Sequence, residues 1–63
     1  MNGFEKEVKR VLTQHGWYFL RAAKGSHEYW TKVGCKPITV PHNCKSRHTA
    51  NAIMKAAKIK HKF

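Results

Sequence analysis

The chain has 63 residues, with 13 Lys and Arg against three Glu and no Asp, a formal net charge of +10. A sequence this short makes one domain over residues 1–63 and buries only about 60% of its unfolded surface, so its core is small. Two cysteines, Cys35 and Cys44, are too few for a disulfide-stapled secreted scaffold, whereas an excess of positive charge on this scale points to a polyanionic ligand, a nucleic acid or an acidic protein partner.

In chain order, Asn2 and Glu5 sit in capping-box positions ahead of an apolar stripe at Phe4, Val8, Val11 and Leu12. That spacing predicts helix one over about 3–15, with Gly16 as its stop. Trp17 to Ala22 is aromatic and apolar without helical spacing and reads as a strand. Lys24-Gly25-Ser26 is a turn, His27 to Lys32 a second strand, Val33-Gly34-Cys35 a second turn, and Lys36 to Val40 a third strand entered through Pro37, which suits an edge. Turns this short force antiparallel neighbours. After the polar connection Pro41 to Arg47, the residues Ala50, Ile53, Met54 and Ala57 predict helix two over about 47–58, capped by Ser46 or Thr49, with Ile59 and Phe63 as anchors in a basic tail. The order αβββα with two amphipathic helices implies an α+β two-layer sandwich, both helices on one face of an antiparallel three-stranded sheet and the other face open. Trp17 and Phe19 are read as core.

The candidate chemistry follows from what the chain lacks as much as from what it holds. Its carboxylates are Glu5, Glu7 and Glu28, two of them on helix one, so no acidic cluster stands ready for a two-metal nuclease. Cys35, His42, Cys44 and His48 match no standard zinc spacing. Neither a metal nor another cofactor is expected. His, Lys, Arg, Ser and Tyr do suit RNA cleavage in which the substrate's 2′-hydroxyl is the nucleophile and the protein moves a proton and stabilises charge. Lys24-Gly25-Ser26-His27 brings such groups together: Gly25 permits close backbone approach, Ser26 offers donors, His27 offers an imidazole for proton transfer, and Lys24 with Arg21 supplies charge for a phosphate. Tyr29 shares a strand face with His27 and suits stacking on a base, while Trp30 and Glu28 take the other face, Trp30 toward the core. His42, after strand three, is either a second proton-transfer group near His27 or a solvated loop residue. Lys45, in the connection, completes the phosphate-binding set. The residues alone leave a catalytic protein and a non-catalytic RNA-binding module both open; a membrane-active cationic peptide is disfavoured by the strand-rich middle. Met1 to Arg10 has no apolar segment of the secretory kind and no stretch reaches membrane-spanning length, so a cytoplasmic location is expected.

Gly16-Trp17-Tyr18-Phe19, Lys24-Gly25-Ser26-His27, Ile38-Thr39-Val40-Pro41-His42, Thr49 and Ile53-Met54-Lys55, in this order and spacing, resemble the HicA toxins of bacterial type II toxin–antitoxin pairs. The likeness covers nearly the whole chain. It implies a double-stranded-RNA-binding-domain-like αβββα fold and metal-independent mRNA cleavage that inhibits translation and growth. It also implies neutralisation by a HicB-type antitoxin that covers the active histidine. By position, His27 matches the family's catalytic histidine, with Gly25 and Ser26 as its neighbours. Ser46-Arg47-His48-Thr49 departs from the family pattern, which often carries Gly ahead of the Thr, and this bears on RNA preference and antitoxin contact.

Overall fold

The computed structural model describes residues 3–63. Helix α1 (Glu5–Gln14) buries Val8, Val11 and Leu12, and helix α2 (Arg47–Ala56) buries Ala50, Ile53 and Met54, each the stripe expected from its periodicity. Between them lie β1 (Tyr18–Ala22), β2 (His27–Thr31) and β3 (Ile38–Pro41), an antiparallel meander with β2 in the centre. The αβββα order and the open sheet face are thus observed, with each element within a few residues of its predicted bounds. No helix among the described residues is long and apolar enough to cross a membrane.

The helix ends carry more of the sequence's logic than their middles. The predicted cap Asn2 lies outside the described residues; α1 starts behind Phe4, whose side chain makes no cap hydrogen bond. The Glu5 carboxylate instead accepts the Cys44 N–H at 3.3 Å, and the Phe4 N–H donates to the Cys44 carbonyl, tying the start of α1 to the segment before α2. Ser46 caps α2 as expected, its hydroxyl accepting from the His48 and Thr49 N–H groups at 3.1 and 3.4 Å.

Both helices end in the same motif. The Gly16 and Trp17 N–H groups bond back to Thr13 and Leu12, and the Lys58 and Ile59 N–H groups to Lys55 and Met54, the paired bonds of a Schellman turn with an apolar contact across each. Gly16 takes the required left-handed backbone at φ +89°, whereas in the second motif a lysine holds φ +58°. A side chain there costs energy that glycine avoids. Lys58→Gly is therefore expected to raise stability by about 0.5–1 kcal/mol, read as a higher denaturant midpoint at unchanged slope.

Val8, Leu12, Val40, Cys44 and Met54 are fully buried, with Trp17 and Trp30 beside them and Ile59 closing the bottom. The tail folds back, Phe63 packing edge-on against Phe4 at 5.7 Å between ring centroids. Phe19 departs from expectation. It lies opposite Trp30 on the helix side of the sheet but is 51% exposed, because β1 is an edge strand and all five of its residues remain exposed. The two tryptophans join the helix stripes in the buried cluster, whereas Phe19 stays at the exposed sheet edge. Cys35 is exposed and Cys44 buried, both as free thiols, and burial pushes the Cys44 thiol above its ordinary value.

Candidate active site

The register fixes which residues share the open face. Trp30 is buried against the helices, so its neighbours Tyr29 and Thr31 point the other way, with His27 on the same side as Tyr29. Cross-strand partners extend that face: His27 lies opposite Pro41, Tyr29 opposite Thr39 and Arg21, and Thr31 opposite Tyr18. His27, Arg21 and Tyr29 are therefore brought to one surface. The Arg21 guanidinium sits over the Tyr29 ring, 4.7 Å from its centroid, a cation–π geometry.

Lys24-Gly25-Ser26 forms the hairpin loop between β1 and β2, closed by the Ala23 N–H donating to the His27 carbonyl at 2.8 Å. Gly25 holds φ +70° and nothing lies within 4 Å of where a β-carbon would stand. The loop thus presents exposed backbone beside His27, itself exposed, with the Lys24 and Ser26 side chains flanking it. From His27 a shallow recess of about 470 Å³ runs past Thr39 and Pro41 to Thr49, Ala52 and Ala56 on the outer side of α2. Thr39 and Thr49 thereby line the site beside the residues expected from the sequence. The alternation Ile38-Thr39-Val40 holds the signal for Thr39, whereas Thr49 becomes a neighbour only through the packing of α2 on β3.

His42 takes a different position. Its N–H donates to the Ser26 carbonyl, continuing the β2–β3 ladder past Pro41, so its side chain falls on the face opposite His27. Its Nδ1 stands 3.7 Å from a Glu28 carboxylate oxygen. Glu28 in turn accepts the Trp30 indole N–H at 3.0 Å and pairs with Lys9 of α1 at 3.4 Å. This cluster clamps α1, the centre of the sheet and the start of the α2 connection directly behind His27. Lys45 is exposed on that connection. The remaining carboxylates are engaged elsewhere, Glu5 with Cys44 and Glu7 with Arg10, and among the described residues no three His, Cys or Glu side chains gather in a metal-binding group.

The Trp30 indole N–H, with help from the Lys9 charge, holds the Glu28 carboxyl below its ordinary value of 4.5, against the opposing effect of partial burial. A carboxyl with a depressed folded-state pKa stabilises the fold above its unfolded pKa, and that contribution is lost as pH falls through the folded value. The wild-type denaturant midpoint is therefore expected to drop as pH falls below about 4.5, and Glu28→Gln is expected to flatten that part of the profile.

Comparison with protein families matches residues 6–59 to the HicA toxin of bacterial toxin–antitoxin systems. A solved structure described as a toxin–antitoxin complex from Streptococcus pneumoniae contains a chain 41% identical in sequence, superposing with a TM-score of 0.75 over 86% of this chain and 93% of that one. Comparison with curated proteins gave no match. With a family match spanning both helices and the whole sheet, the chain belongs to the HicA toxin family.

Proposed function

We propose that this protein is an mRNA-cleaving toxin that needs no metal ion, with His27 as its catalytic residue and a HicB-type antitoxin as its neutralising partner. The observation that carries the reading is the placement of His27: exposed, first in the central strand, beside the open Gly25 loop, and on the same face as Arg21 and Tyr29. In the reaction the substrate's 2′-oxygen forms a bond to phosphorus and the bond from phosphorus to the 5′-oxygen breaks. One new end is a 2′,3′-cyclic phosphate and the other a 5′-hydroxyl. The 2′-hydroxyl loses a proton and the leaving oxygen gains one, and His27 carries a proton at one of these positions. Lys24, Arg21 and the donors of Gly25 and Ser26 face the charge that builds on the phosphate.

The dispersal of the carboxylates supports a route through nitrogen bases and donors. A neutralising protein partner is supported by the toxin–antitoxin complex to which the chain is similar, and an antitoxin laid over the open sheet face would cover His27. mRNA as substrate places the activity in the cytoplasm. The test is incubation of the protein and its His27→Ala variant with RNA in excess chelator. Cleavage by the wild type alone is the expected result; equal cleavage by both, or cleavage by neither, would overturn the enzyme reading and leave the non-catalytic RNA-binding module.

A further inference from the structure

The backbone of β1 contains an irregularity whose consequence falls on a single side chain. Phe19 pairs with Trp30, but the next partner of Tyr29 is Arg21, so Leu20 is an extra residue in the strand and the register shifts there. Without this bulge, continuous alternation would place Leu20 opposite Tyr29 and Arg21 opposite Glu28, on the helix side. The bulge transfers Arg21 to the open face and sets its guanidinium over the Tyr29 ring. Bulges interrupt the ladder and recur where a side chain is re-aimed beside a functional site.

We propose, building on the RNA-cleaving function above, that Arg21, besides lending its charge to the phosphate, offers the free face of its guanidinium as a stacking platform for one base of a single-stranded RNA, with Tyr29 as its backing. A guanidinium lying on an aromatic ring is covered on one face and free on the other, and its flat free face accepts a nucleobase. Tyr29 is thereby a support for the platform, since its own outer face is already taken. His27 lies two residues along β2 from Tyr29, about 6.8 Å away along the strand. A base that stacks on a side chain must be splayed out of its own stack, which the unpaired bases of a single strand allow.

The experiment is fluorescence anisotropy on the His27→Ala background, with a labelled single-stranded oligoribonucleotide and the same strand annealed to its complement. Arg21→Lys keeps the charge and loses the planar face, and Arg21→Ala loses both. The expected result is at least tenfold tighter binding of the single strand than of the duplex. Arg21→Lys is expected to weaken single-strand binding about tenfold at an unchanged salt slope, while Arg21→Ala also lowers that slope by about 0.7. Affinity in Arg21→Lys equal to that of the parent overturns the stacking role and leaves Arg21 as a phosphate contact; equal affinity for duplex and single strand overturns the substrate class. Either result is compatible with cleavage by the protein that retains His27. Absence of RNA cleavage by that protein is the separate outcome that removes the functional reading beneath.

Discussion

His27→Ala is expected to lower the rate of RNA cleavage by about 10²–10⁴-fold, the range carried by a positioned acid or base, while leaving the denaturant midpoint nearly unchanged. The second half of that expectation follows from exposure. His27 is outside the core, and its backbone carbonyl, which closes the hairpin by accepting from Ala23, is present whatever the side chain. Exposed substitutions away from caps and networks stay within about 0.5 kcal/mol. Residual binding should persist, because Lys24, Arg21 and the general positive field remain. The variant therefore separates chemistry from recognition. Rate loss with unchanged circular dichroism and unchanged RNA affinity assigns His27 to the chemical step, whereas parallel loss of affinity and rate assigns it to binding.

Trp30→Ala is expected to unfold most of the protein. Removing a buried tryptophan costs about 3–5 kcal/mol. A chain of this length has only about 3–9 kcal/mol to lose, at ~0.05–0.15 kcal/mol per residue. The substitution also deprives the half-buried Glu28 carboxylate of its indole donor, a further penalty of about 1–3 kcal/mol. Trp30→Phe separates the two contributions. It keeps most of the packing, loses the hydrogen bond, and should fold with a midpoint lowered by the second contribution and part of the first. Equilibrium denaturation followed by the fluorescence of Trp17 measures both variants. A Trp30→Ala protein as stable as wild type would mean that the centre of the sheet does not anchor the helices as described.

Much of this arrangement is legible in the residues because it depends on local rules. Apolar spacing in both helices, the Ser46 cap and the Gly16 stop each act within a turn or two, and each appears where expected. The shared face of His27 and Tyr29 follows from strand alternation alone. What escapes the sequence depends on partners far along the chain. Phe19-Leu20-Arg21 contains no glycine or proline to announce a bulge, and the shift exists because β1 must meet Trp30 and Tyr29 in register at once. Phe19 reads as core by composition but stays at the exposed sheet edge. Glu28 looks like an isolated surface acid until the fold brings Lys9, Trp30 and His42 around it. The same packing turns the His42 side chain away from His27, a separation that proximity in the β3 segment does not reveal.

We propose that this chain cuts RNA through the substrate's own 2′-hydroxyl with His27 moving the proton. The most direct measurement starts by mapping one cleavage position in a short oligoribonucleotide in the presence of chelator. That nucleotide is then replaced by its 2′-deoxy counterpart, and the ends of the parent products are analysed. The expected result of transfer through the 2′-oxygen is a 2′,3′-cyclic phosphate on the upstream product, a 5′-hydroxyl on the downstream one, and no cleavage at the deoxy position. Undiminished cleavage there, or a 5′-phosphate on the downstream product, would contradict it.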